Sequence, residues 1–218
     1  ELYDYQKKGL SWLKSMFRLQ SGALLADDMG LGKTAQVIAF LVDGFSTGVF
    51  RTALIVVPNS LLSNWSREIL KFSKGLSPYI HWGSNRVGFP QQLEKHSIVI
   101  TTYSIISNDR SLFDQLKFDV LVCDEASLLK NPESNRTRAI NSLNYHFSIA
   151  ITGTPFENSL MDLWSVTNIV CKNFLGKYEN FQRLYKDVKP DEISIHDIES
   201  IENRVNKIML RRLKSEVL

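Results

Sequence analysis

The stretch Gly22-Ala-Leu-Leu-Ala-Asp-Asp-Met-Gly-Leu-Gly-Lys-Thr34 carries the residue types of a phosphate cradle. Ala23-Leu24-Leu25-Ala26 is a short apolar run that reads as a buried strand. After Asp27-Asp28-Met29, Gly30-Leu31-Gly32 makes a tight turn, Lys33-Thr34 follows, and Ala35–Leu41 continues with helical spacing. Glycines let backbone N–H groups face phosphate oxygens, and a helix N-terminus adds partial positive charge. Lys33 can reach β- and γ-phosphates, and the Thr34 hydroxyl can ligate magnesium. The pattern departs from the general G-x-x-x-x-G-K-[ST] loop at one place, where Asp27 stands for the first glycine. A glycine turn before an ordinary helix is the bland alternative.

A second polar cluster follows another apolar run, Val120-Leu-Val-Cys123, as Asp124-Glu125. Phosphoryl transfer from a nucleotide needs a metal to bridge phosphates and an acceptor to orient the attacking water. Asp124 at a strand end can position magnesium, and Glu125 can reach the water. Alone, the pair is a charged turn common in α/β proteins; beside a phosphate loop it becomes the other half of a site.

The elements that must position these groups alternate. Residues 2–19 form an amphipathic helix with Leu10, Leu13 and Phe17 on one face. Thr52–Pro58, Ser97–Thr101, Phe118–Cys123 and Phe147–Ile151 are apolar runs of the kind found in parallel strands covered on both faces, with a weaker strand at Pro78–Trp82. Leu61–Phe72, Arg136–Leu143 and Leu160–Val170 read as helices. The implied fold class is α/β, a parallel sheet with helices on both faces, which binds ligands beyond the carboxyl ends of its strands. The glycine loop, Asp124-Glu125 and Thr152-Gly153-Thr154 all fall at such ends. Beyond Pro155 strand signals cease, and 171–210 reads as a helical appendage.

Composition bounds the alternatives. The chain has 218 residues, 44% hydrophobic and 22% charged, as expected of a globular domain. No apolar run approaches the ~20 residues of a membrane span, and no signal peptide is evident. The absence of an initial Met suggests a fragment. Cys123 and Cys171 suggest neither a disulfide framework nor a metal cluster, so a reducing, intracellular setting is expected: cytoplasmic in a prokaryote, nuclear in a eukaryote. Residues 201–218 hold five basic residues against two acidic, matching the whole chain's +3. Any nucleic-acid contact must therefore come from a local groove, with Arg211, Arg212 and Lys214 its basic candidates. Trp65 lies on an apolar helix face and reads as core rather than as a base-stacking residue. The four histidines are scattered and carry no assigned chemistry.

Taken together, these segments resemble the first motor lobe of the Swi/Snf-related ATPases of helicase superfamily two. Tyr5-Gln6-Lys-Lys-Gly9-Leu-Ser-Trp12-Leu13 is similar to that family's adenine-side motif. Leu25–Thr34 is similar to its phosphate loop, in which an acid commonly replaces the first glycine. Leu54–Pro58 with Asn64-Trp65, Thr101-Thr102-Tyr103, Thr152-Gly153-Thr154-Pro155, Leu129-Lys130-Asn131 and Met209–Lys214 resemble further family motifs. The family usually has His where Ser127 stands, which puts coupling to the rest of the motor in question.

The resemblance implies a RecA-like ATP-binding lobe at 1–170, the appendage at 171–210, and the start of a linker to a second RecA-like lobe at 211–218. It implies ATP and Mg2+ as cofactors. Gln6 would contact adenine; Asp28 to Thr34 would hold phosphates; Thr34 and Asp124 would hold metal; Lys33, Asp124 and Glu125 would be catalytic. Ser60, Thr101 and Thr102 would touch a nucleic-acid backbone, Thr152 and Thr154 would relay nucleotide state, and Arg211 and Arg212 would contact nucleic acid or the other lobe. Expected partners are double-stranded DNA, the second lobe and a protein substrate on DNA, with no membrane. Without the second lobe's arginines, the fragment should hydrolyse ATP slowly. A duplex translocase, a strand-separating DNA or RNA helicase, and a nucleotide-gated binding module without turnover remain the three alternatives.

Overall fold

The computed structural model describes residues 2–153, 159–186, 188 and 193–217. Its centre is a seven-stranded sheet, β1 (Ala23–Leu25), β2 (Ala53–Val57), β3 (Pro78–Ile80), β4 (Ile98–Thr102), β5 (Lys117–Cys123), β6 (Asn144–Ile151) and β7 (Met209–Leu210), in the order β3-β4-β2-β5-β6-β1-β7. Every pairing is parallel. All strands therefore end at one edge, and β6 alone separates β1 from β5. Registers such as Leu25 with Ile151 and Cys123 with Ala150 bring those ends level.

The unbroken apolar runs are explained by burial on both faces. Within β2, Ile55 and Val57 point into one core with Leu13, Val37 and Trp65, while Leu54 and Val56 point into another with Ile106, Phe113 and Ile140. The first core is closed by α1 (Asp4–Arg18), α2 (Lys33–Ser46) and α3 (Leu62–Phe72), which follows a short 3-10 turn at Asn59–Leu61. The second is closed by α4 (Pro90–Leu93), α5 (Tyr103–Asn108), α6 (Arg110–Phe113) and α7 (Asn135–Ser142). Ile55 has no exposed surface. Ile55→Ala should cost about 2–5 kcal/mol of stability, measurable as a shift in the urea midpoint.

The remaining helices, α8 (Leu160–Val170), α9 (Tyr178–Tyr185) and α10 (Ile195–Val205), share a small core of Leu163, Trp164, Phe181, Ile201 and Val205. A last short helix, α11, spans Lys214–Val217. The stretch expected to be a helical appendage thus differs at its end. Met209-Leu210 is β7, paired with β1. Leu24 and Ala26 donate backbone hydrogen bonds to Ile208 and Leu210 at 2.8 Å each. No helix among the described residues is long and apolar enough to cross a membrane.

Candidate nucleotide-binding site

The loop between β1 and α2 turns on two glycines of positive φ, Gly30 at 87° and Gly32 at 70°. At Gly32, which caps α2, a Cβ would also fall 2.4 Å from the Gln6 amide nitrogen. A side chain there would be both strained and in collision. No side chain caps α2, so the first N–H groups of the helix face the cleft without an intrahelical partner. Gln6 is buried in α1, and its Nε2 donates to the Leu31 carbonyl at 3.3 Å. The helix expected to carry an adenine contact therefore sits directly against the loop.

Lys33 Nζ donates to the carbonyls of Asp27 (2.6 Å) and Asp28 (3.2 Å). Burial lowers its pKa below the ordinary lysine value, opposed by the carboxylates of Asp27, Asp124, Glu125 and Asp28. Asp124 is 7% exposed at the end of β5. Its Oδ2 accepts from Trp65 Nε1 at 2.7 Å, its Oδ1 from the Glu125 amide at 2.9 Å, and its carbonyl from the Tyr103 hydroxyl. Burial raises the Asp124 pKa against the Trp65 and Glu125 hydrogen bonds and the Lys33 charge. Burial raises that of Glu125 too, reinforced by the Asp124 charge. Glu125 itself has φ of 50°, which turns its side chain away from the line of β5.

Lys33, Asp124 and Glu125 thus lie together at the carboxyl edge, within electrostatic reach of one another. The residues fit a nucleotide triphosphate and its divalent cation. Among the described residues the Thr34 hydroxyl engages no hydrogen-bond partner, and Lys33 is satisfied only by carbonyls of its own loop. Both are groups that a phosphate and its metal would recruit.

Other expected positions fall differently. Thr101 and Thr102 are buried: Thr101 Oγ1 donates to the His81 carbonyl at 2.7 Å, and Thr102 Oγ1 caps α5 by accepting from the Ile105 amide. Their hydroxyls are used internally, because the end of β4 and the start of α5 need them more than solvent does. Both hydroxyls are thus engaged within the lobe in this structure. Ser60 is exposed on the turn after β2. Thr152 is buried at the end of β6, its amide donating to Leu25. Thr154 and Pro155 lie outside the described residues. Arg211 is exposed, but Arg212 turns inward and pairs with Asp27. The unbalanced charge expected to face nucleic acid is partly spent on a buried acid. Met29 is 71% exposed on the loop, over Gly153.

The residue-by-residue reading of the sequence places Trp65 in the core. It is fully buried there, as expected, yet its indole N–H also reaches the Asp124 carboxylate. The signal was available: a buried indole N–H needs an acceptor.

Comparison with known proteins agrees with this geometry. The sequence pattern of the SNF2-related domain matches residues 5–218. An uncharacterized ATP-dependent helicase of Mycoplasma genitalium is 36% identical over all of this chain and 21% of its own length. The SWI/SNF-related matrix-associated actin-dependent regulator of chromatin subfamily A containing DEAD/H box 1, from Mus musculus, is 37% identical over all of this chain and 23% of its own. The chain thus spans roughly a fifth to a quarter of the length of these relatives. A solved Sulfolobus solfataricus SWI2/SNF2 ATPase core in complex with dsDNA superposes with a TM-score of 0.86 at 33% identity, over 98% of this chain and 45% of that one. The RecA-like sheet, the loop after its first strand and the acids after its fifth are therefore those of an SNF2-related domain, and the chain belongs to that family.

Proposed function

We propose that this lobe binds ATP with Mg2+ and hydrolyses it as the first half of a motor that moves along double-stranded DNA and displaces proteins bound there. The supporting observation is the convergence of Lys33 with Asp124 and Glu125 on one cleft flanking β6. Gln6 lies on the adenine side, the amides at the start of α2 and Lys33 hold the β- and γ-phosphates, and Thr34 and Asp124 hold the cation. When bound there, the cation would supply positive charge to offset the negative charge of the phosphates during transfer. Glu125 orients the attacking water and takes its proton. Arginines from a second lobe complete the site. In this reading the body of the lobe is 1–170, and α9 and α10 are an addition to it.

The relative solved with duplex DNA favours a duplex track over a single strand. The test is ATP turnover by the longest natural chain containing this domain, with duplex DNA, single-stranded DNA or RNA added. Stimulation by duplex supports the proposal. Stimulation by single strands or RNA alone indicates a strand-separating helicase, and binding without turnover indicates a gated binding module.

Trp65 gives a second check. Outer partners that hold a metal-binding carboxylate are typically worth about 10- to 100-fold in metal affinity. Trp65→Phe keeps most of the packing and removes the N–H to Asp124. The Mg2+ concentration giving half-maximal turnover should rise by about that factor, with less effect on the KM for the Mg–ATP complex at saturating metal.

A further inference from the structure

The chain leaves the sheet at β7 and runs directly onto the phosphate loop. The Asp28 amide donates to the Arg212 carbonyl at 3.0 Å, and the Lys214 amide donates to the Asp28 carboxylate at 3.0 Å. Between them the Arg212 side chain enters the interior. Its Nε donates to Asp27 Oδ1 at 3.0 Å, its Nη2 to Asp27 Oδ2 and to Gln36 Oε1 (2.7 Å), and its Nη1 to the Tyr5 carbonyl. Gln36 Nε2 returns to Asp27 Oδ2 at 3.2 Å, so Asp27, with no exposed surface, is gripped from two elements. The guanidinium also lies 5.5 Å from the Tyr5 ring centre. Gly9 makes the space: a Cβ there would come within 1.8 Å of Gln36 Oε1 and 3.0 Å of Arg212 Nη2.

One side chain therefore ties together α1, the phosphate loop and α2, the three elements that build the nucleotide cleft. Tyr5 is the neighbour of Gln6, so the base side is held with the phosphate side. Asp27, the residue in place of the loop's first glycine, supplies both the carboxylate that Arg212 grips and the carbonyl that Lys33 Nζ touches. A displacement of the departing segment would move that carbonyl, and a phosphate that draws Lys33 away would loosen it from the other side.

We propose that Arg212 is a positioning residue for the nucleotide, and that the segment Met209–Lys214 is a strap whose tension and nucleotide affinity set one another. By reciprocity of linkage, nucleotide must then tighten the strap by as much as the strap tightens nucleotide. The inference rests on the nucleotide reading above.

The test uses the longest natural chain, in a Glu125→Gln background so that ligand is not consumed, with a fluorescent ATP analogue and Mg2+. Arg212→Lys keeps the charge but loses the multiple contacts, and should raise Kd at least about tenfold. Arg212→Ala should raise it further. Should the alanine variant fail to fold, the lysine variant decides. Hydrogen exchange on the Arg212-intact chain supplies an independent reading: the analogue should slow exchange at the amides of Asp28 and Lys214. A merely structural Arg212 would lower the thermal midpoint while leaving Kd unchanged in Arg212→Lys. Either that unchanged Kd or unchanged exchange at Lys214 overturns the inference. Failure of the Arg212-intact chain to bind the analogue at all would instead sink the nucleotide reading.

Discussion

Glu125→Gln should lower ATP turnover by about 10²–10⁴-fold, the usual share of a general base, while ATP binding changes by no more than a few fold. The substitution is nearly isosteric, so the φ of 50° and the Glu125 amide's bond to Asp124 survive. What disappears is the acceptor for the water's proton. It also removes one of the two adjacent negative charges, the one whose repulsion by Asp124 helps to raise the Glu125 pKa. Binding of a fluorescent ATP analogue and single-turnover hydrolysis, measured on the same preparation, separate the two effects. Comparable losses of binding and turnover would place Glu125 in the fold rather than in the chemistry.

The same carboxylate gives the pH dependence a sign. Burial, and then the charge of Asp124, hold Glu125 above the ordinary carboxylate range. The ionised form is the one that accepts a proton, so turnover should fall as pH drops through a value higher than that of a solvated glutamate. In Glu125→Gln the residual rate should lose the part of this acid limb that belongs to Glu125. A pH profile of kcat at saturating Mg–ATP measures it.

The second large effect concerns what the cleft lacks. Among the described residues, the positive charge acting on Glu125 and Asp124 is that of Lys33. Arg212, the arginine beside the loop, has its guanidinium committed to Asp27, Gln36 and Tyr5. Four of its five N–H donors are used there, which holds it back from following a γ-phosphate through transfer. An arginine delivered from outside is worth about 10³–10⁵ in rate for nucleotide hydrolysis. The 218-residue chain alone should therefore turn over ATP slower by about that factor than a longer chain bearing the rest of the motor. Steady-state assays of the two proteins side by side decide it. Equal rates would mean that this lobe holds a complete catalytic set.

Much of this architecture is legible in the residues, for physical reasons that also mark where legibility stops. Ile55 and Leu54 face opposite cores, so β2 had to be apolar at every position and announced itself. The loop at 28–34 has few other uses for its glycines and lysine. By contrast, β7 is two residues long, too short for any periodicity to show, and its strand character comes from pairing with β1 far away in sequence. Helix starts and phosphate contacts favour the same residue types, so the sequence does not show that Thr102 Oγ1 caps α5 or that Thr101 Oγ1 bonds the His81 carbonyl. Arg212 appeared as a surface charge because its partner, Asp27, lies at the other end of the chain. Trp65 was placed correctly on an apolar face, but periodicity weighs the ring and ignores the N–H.

The sheet order has a consequence for biosynthesis. The two neighbours of β1 are β6 and β7, which of the strands in this sheet are translated last, while β1 is translated first among them. At about 5–20 residues per second, Ala23–Leu25 must wait roughly 6–25 s for β6 to be translated, and longer for β7. Throughout that interval three residues destined for complete burial lack both of their strand neighbours. The strand that leads into the phosphate loop is therefore without its sheet partners for that interval, and the loop is among the last parts of this sheet to be fixed in place.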